Sequence, residues 1–338
     1  LTSHLDVAGP PFDSKLWACP HLPYRKGASP WWPYEQTAYW VDGLTRCGIA
    51  LDDPALLRRA EEQINYVLQH ADRDGYLGPM SCKPPMPAGR WPHMIFFRAM
   101  LAWYDATGDQ RIPKALARHY ADSPHDHSDH RDVCHIEILC WLADVLREPK
   151  FVKMAEATWE AYQRNLPHHD QALARSAVHT DGPASGHGVT FCETVKQGAL
   201  LYRATGKREY LRYTCAGFEQ LHRHHMLLSG VPSSSEELRG VTSLDAHETC
   251  DTVDYAWAAG HLLMASGDAT LADAIERATF NGLPGALTKD FKGLQYFSSA
   301  NQVILTRNSA HTMAATASRF MSYRPRPGTE CCTSNVTR

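Results

Sequence analysis

Three cysteines and a glutamate, divided between two short stretches, have the composition of a metal–thiolate site. The first stretch is Glu248-Thr249-Cys250, and the second, about eighty residues later, is Cys331-Cys332. Zinc takes thiolate, imidazole or carboxylate in a tetrahedron, and Glu248, Cys250, Cys331 and Cys332 supply four such donors. In extended backbone, residues i and i+2 point the same way. Glu248 and Cys250 could therefore grip one ion from a loop ahead of a helix starting near Thr252. Neighbouring cysteines seldom pair with each other, because that disulfide strains the backbone, so ligation is the better explanation of Cys331-Cys332. A further acid, Glu236, lies twelve positions before Glu248, after Pro232-Ser233-Ser234-Ser235. On these residues alone a closed structural zinc and an open catalytic one both stand.

The elements that must position this set are helical. Pro33 suits the first position of a helix running to about Ala50, and Asp52-Asp53-Pro54 opens another to about His70. Further helices are expected from about Pro92 to Ala106, Arg111 to Tyr120, Val133 to Leu146 and Pro149 to Asn165. Others run from His187 to Ala204, then to His224, and from Thr252 to Ala265, then to Asn281. Helix, short joint, helix recurs five times at intervals of roughly 40 to 60 residues. Thr107-Gly108-Asp109, Thr205-Gly206-Lys207 and Ser266-Gly267-Asp268 are three of the joints, with Gly where helices end. Short joints make antiparallel neighbours, and such a repeat predicts an open solenoid or a closed toroid. The long Gly-, Pro-, His- and Trp-rich segments between hairpins favour the toroid, since loops of that kind build a pocket at one end. Past residue 285 the helical period fades, and Gly293–Ser299 and Asn301–Thr306 read as short strands.

Composition narrows the function. Of 338 residues 43% are hydrophobic and 21% charged, with a net charge of −3, so nothing electrostatic favours nucleic acid or an anionic membrane. No apolar run reaches the ~18 residues of a membrane span. Residues 1–30 form a loop-rich segment, and 31–338 are expected to form one helical barrel. No signal peptide is visible, which leans slightly toward the cytoplasm. The start at Leu1 and the stop soon after Cys332 suggest a fragment or processed form, so the compartment stays open, as does the oligomeric state. Cys19, Cys47, Cys82, Cys134, Cys140, Cys192 and Cys215 are scattered and read as buried thiols. His125, His127 and His130, and His222, His224 and His225, form two clusters better explained as solvated loop and helix-end residues than as a second metal site.

Ser235-Glu236-Glu237-Leu238-Arg239-Gly240, then Glu248-Thr249-Cys250, then Cys331-Cys332-Thr333-Ser334-Asn335, resembles glycoside hydrolase family 127, the β-L-arabinofuranosidases and their relatives. Gly186-His187-Gly188-Val189, Asp74-Gly75-Tyr76-Leu77-Gly78, Tyr104–Asp109 and Gln295-Tyr296 are similar to further signatures of that family, in the same order. The resemblance implies an (α/α)6 barrel followed by β-sandwich domains that this chain lacks. It also implies a retaining exo-glycosidase for a β-L-arabinofuranoside or related sugar. Carried over residue by residue, Cys331 is the nucleophile. Glu248, Cys250 and Cys332, with Cys331, hold Zn2+. Glu236 is the acid/base, with Glu237 the competing choice. Zinc ligation would make the thiol a thiolate at neutral pH, and a carboxyl would protonate the leaving oxygen and then deprotonate water.

Sugar recognition calls for flat apolar faces and polar groups near the pocket. Trp31, Trp32, Glu35, Gln36, Trp91, His187 and Tyr296 are the candidates. The histidine of the family's early helix has no match in register here, the nearest being His93. Two rival functions remain at this level: another α/α-toroid carbohydrate enzyme, such as a lyase or hydratase with a structural zinc, or a carbohydrate-binding toroid without turnover.

Overall fold

The structure is a computed structural model that describes residues 32–79, 82–83, 90–121, 130–165, 181–243, 245–287, 289 and 295–299. Trp31, Cys331, Cys332, the expected strand Asn301–Thr306, and His125 and His127 lie outside the described residues. So do the side chains of Trp32, Gln36 and His130.

The described elements group into two compact units that divide between Glu148 and Pro149. The first holds α1 (Trp32–Leu51), α2 (Pro54–Gln69), α3 (Trp91–Thr107), α4 (Arg111–Ala121) and α5 (His135–Leu146), the last preceded by a 3-10 turn over His130–Cys134. Helix α1 packs against both α2 and α3. Asp53 caps α2 by accepting from the backbone N–H groups of Ala55 and Leu56 at 2.8 and 3.1 Å, with Pro54 in the first turn.

The second unit holds α6 (Pro149–Asn165), α7 (Gly188–Val195), α8 (Gln197–Thr205) and α9 (Arg208–His224). A hairpin of β1 (Ser234–Ser235) and β2 (Glu237–Leu238) follows, then β3 (Ala246–Glu248) and α10 (Thr249–Ser266). The chain continues through α11 (Thr270–Arg277), a π turn over Ala278–Gly282, α12 (Leu283–Ala286) and β4 (Phe297–Ser299). Its core gathers Phe191 and Val195 of α7, Phe218 and Leu221 of α9, and Tyr255 and Leu262 of α10. Each such side chain contributes about 1.5–3 kcal/mol by leaving water.

Three joints repeat one device. Gly108, Gly206 and Gly267 sit at φ 71°, 75° and 72° and donate to the carbonyls of Tyr104, Tyr202 and Leu263. A left-handed residue satisfies carbonyls that the helix leaves open, and glycine does so without a Cβ clash. The hydroxyl just before each glycine donates back into its helix, Thr107 to Trp103, Thr205 to Leu201 and Ser266 to Leu262. The same oxygen then accepts the N–H two residues on.

Two helices depart from expectation. The helix expected over His187–Ala204 is broken at Lys196. The Thr214 hydroxyl of α9 donates to the Val195 carbonyl at 2.7 Å and accepts the Ala199 N–H at 2.9 Å, so a side chain stands where one rung of the helix would be. Helix α10 begins at Thr249, three residues before the expected start. The Thr249 N–H and hydroxyl bond the carbonyls of Tyr296 and Gln295 at 2.9 and 2.6 Å, which docks this turn onto the strand segment. Glu248 is thus the extended N-cap and Cys250 is helical, so the extended i, i+2 geometry expected of them is not the one observed.

The strand reading near residue 297 holds: β4 pairs antiparallel with β3, Glu248 opposite Phe297 and His247 opposite Ser298. Of the scattered cysteines, Cys82, Cys134 and Cys192 are buried, Cys47 and Cys140 half-buried, and Cys215 is exposed, contrary to expectation. No helix among the described residues is long and apolar enough to cross a membrane.

Candidate active site

Glu236 is the tip of the β1–β2 hairpin. Ser235 pairs with Glu237 and Ser234 with Leu238, leaving one residue to turn the chain. That residue has φ +68°, a region that non-glycine residues seldom occupy. The hairpin docks on the segment before α7: the Gly188 N–H donates to the Glu236 carbonyl and the Leu238 N–H to the Gly186 carbonyl, both at 2.8 Å. Its side-chain outcome separates two neighbours. Glu237 points to solvent, whereas the Glu236 carboxylate is partly enclosed and held on both oxygens.

His187 holds one of them. As N-cap of α7, its Nδ1 accepts the Thr190 backbone N–H at 3.2 Å and lies 3.0 Å from the Thr190 hydroxyl. An amide N–H can only donate, so Nδ1 is the acceptor and Nε2 carries the hydrogen. Nε2 stands 3.0 Å from Glu236 Oε2 and donates to it. The Tyr296 hydroxyl donates to the other oxygen, Oε1, at 3.0 Å. Tyr296 is fixed in turn because its carbonyl accepts from Thr249 at the start of α10. A hydroxyl can give or take a proton and this imidazole N–H can only give. Oε1 is therefore the oxygen able to carry a transferable proton.

Glu248, fully buried at the N-cap of α10, closes the group. Ligand atoms of His187, Glu236 and Glu248 all lie within 4.8 Å of one another, an arrangement able to hold a metal ion. Cys250 is also buried, two residues beyond Glu248. Beside them His247 is pushed down to about 4 by burial, so its imidazole is neutral at neutral pH. Its Nδ1 lies 3.2 Å from the Ser229 hydroxyl.

Four expected site residues, His187, Glu236, Glu248 and Tyr296, thus come together in the second unit. Trp91 belongs to the first unit and is buried. Its Nε1 donates to Glu35 Oε1 at 2.7 Å, Arg131 reaches the same oxygen at 3.3 Å, and the Arg131 guanidinium covers the Trp91 ring at 5.1 Å. His93 is buried in the same unit among the rings of Tyr76, Phe97 and His119. The helix-end histidines take separate partners: His222 meets the Tyr255 hydroxyl, His224 the Asp181 carbonyl and His225 the Arg239 carbonyl. Thr190, which holds His187 Nδ1, is a site residue that the sequence does not single out. The one signal for Thr190 was its place three residues after a histidine that opens a helix.

Solved structures define the class first. The crystal structure of a GH127 β-L-arabinofuranosidase from Geobacillus stearothermophilus T6 has a TM-score of 0.70 at 15% identity, covering 96% of this chain and 57% of that one. A GH127 β-arabinofuranosidase gives 0.68 at 17%, covering 95% and 53%. A D-mannose isomerase gives 0.58 at 11%, covering 90% and 85%. At such identities the likeness shows the fold, the all-α toroid class expected from the helical hairpins. The chain spans a little over half the length of the two GH127 structures. No curated protein matches the sequence. The family model for the β-L-arabinofuranosidase GH127 catalytic domain matches residues 32–338, and the chain belongs to that family.

Proposed function

We propose that the protein is a retaining exo-acting glycosidase for β-L-arabinofuranosides or a closely related sugar. The observation that carries this reading is the Glu236 carboxylate, held between His187 Nε2 and the Tyr296 hydroxyl, in a chain of the GH127 catalytic-domain family. The sugar class follows the solved GH127 structures, which are described as arabinofuranosidases.

In this reading Cys331 Sγ bonds to the anomeric carbon as the glycosidic C–O bond breaks, and Glu236 gives its proton to the departing oxygen. Glu236 is then a carboxylate, and the donors on Oε2 and Oε1 stabilise its charge. It next takes a proton from the water that attacks the same carbon. The sulfur leaves and the Glu236 proton is restored. Two displacements at one carbon retain configuration.

Zn2+ would be held by Glu248, Cys250, Cys331 and Cys332. Glu248 and Cys250, each buried where α10 begins, are a carboxylate and a thiol of the kind a thiophilic divalent cation takes. Its chemistry there is to keep the Cys331 sulfur as a thiolate at neutral pH. The β-arabinoside of an activated phenol tests the reading. Glu236→Gln and Cys331→Ser should each lose most activity, and the first product should be the β-anomer by NMR. Full activity in either variant would end that assignment. Metal analysis by X-ray absorption should find three sulfurs and one oxygen. Loss of activity on chelation, with the helical circular dichroism intact, would argue against a purely structural zinc.

A further inference from the structure

We propose that Asp251 is a positioning residue for Glu236, acting through the Ser234 hydroxyl; this rests on the reading of Glu236 as acid/base. Asp251 is fully buried in the first turn of α10, and its Oδ2 accepts from Ser234 Oγ at 2.5 Å. Ser234 is itself fully buried on β1, two residues before Glu236. Gly188 presses on both. A Cβ built there would stand 2.6 Å from Ser234 Cβ and 3.0 Å from Asp251 Oδ1, so only glycine admits the approach.

Three segments therefore meet at one dry point, and each carries a site residue close by. Gly188 follows His187, Ser234 precedes Glu236 by two residues, and Asp251 follows Cys250. The hairpin tip needs such a tie. A non-glycine residue at φ +68° is strained and persists only where its surroundings over-determine it. Backbone bonds hold the hairpin to the segment before α7, and the Ser234–Asp251 bond holds it to α10. Without that bond the carboxylate can drift from the leaving oxygen, where an ångström of misplacement is costly.

The test compares Asp251→Ala, Asp251→Asn and Ser234→Ala in the full chain on two arabinofuranosides. One has a dinitrophenyl leaving group that departs without a proton, and the other an alkyl leaving group that needs one. Asp251→Ala and Ser234→Ala should each lower kcat/KM, which reports the first displacement, about tenfold on the alkyl substrate and less than about twofold on the dinitrophenyl one. The double variant should be no worse than either single change. Asp251→Asn keeps an acceptor for Ser234 and should restore most of the rate. In both alanine variants the Gly188 and Leu238 amides should exchange with deuterium faster, and in Asp251→Asn they should not. Equal losses of kcat/KM on both substrates with unchanged exchange would overturn the proposal. If the wild type cleaves neither substrate, the arabinofuranosidase reading fails, and the exchange rates alone decide whether the tie exists. If Asp251→Ala does not fold, Ser234→Ala carries the comparison.

Discussion

His187 Nε2 stands 3.0 Å from Glu236 Oε2, and the other nitrogen of that imidazole is already committed to Thr190. The pair is a one-way arrangement: the N–H can stabilise a carboxylate but cannot accept the proton of a carboxylic acid.

That asymmetry predicts the cost of removing the ring. A hydrogen bond to a charged group contributes about 1.5–3 kcal/mol, so His187→Ala should lower kcat by roughly ten- to a hundredfold. Thr190→Val leaves the backbone N–H in place and should cost far less. Steady-state kinetics on an aryl arabinofuranoside would check this. A His187→Ala enzyme within twofold of wild type would mean that the imidazole does not hold the acid.

Tyr296→Phe removes the partner that can follow a proton on and off Oε1. About a tenfold fall in kcat is expected, while the melting temperature moves by less than about 2 °C, because the ring remains in place. Thermal denaturation beside kinetics separates the two effects. An unfolding shift without a rate change would contradict the assigned role.

The pH dependence of stability has a definite sign. Burial pulls His247 from the ordinary 6.5 to about 4, and His222 and His225 shift down for the same reason. A histidine with a depressed folded pKa binds its proton more readily in the unfolded chain. Its contribution is complete above the unfolded value and is lost as pH falls toward the folded one. His247 alone should cost about 3 kcal/mol between pH 7 and pH 4. Urea midpoints across that range should fall steeply in wild type and less steeply in His247→Gln. Parallel curves would show that His247 is not the group responsible.

Much of this was legible in the sequence because it is local. The joints at Gly108, Gly206 and Gly267 announce themselves through a hydroxyl residue followed by glycine, and the structure uses that pair at all three. Asp53-Pro54 marks a cap and a first turn within two residues. What stayed hidden is non-local. The break at Lys196 comes from Thr214, a side chain on another helix. The early start of α10 comes from strand β4, some fifty residues on. The family resemblance already favours Glu236 over Glu237, but the turn with positive φ that encloses Glu236 is one no side-chain pattern reveals.

The central claim is that Glu236 delivers and then removes the proton, and azide rescue tests it most directly. Glu236→Ala should cleave a dinitrophenyl arabinofuranoside slowly, because the second displacement lacks its base. Added azide needs no base, so it should raise kcat at least about tenfold and yield the arabinosyl azide with retained configuration. Glu237→Ala should behave as wild type and ignore azide. A Glu236→Ala enzyme with wild-type kcat, or an azide response confined to Glu237→Ala, would contradict the account.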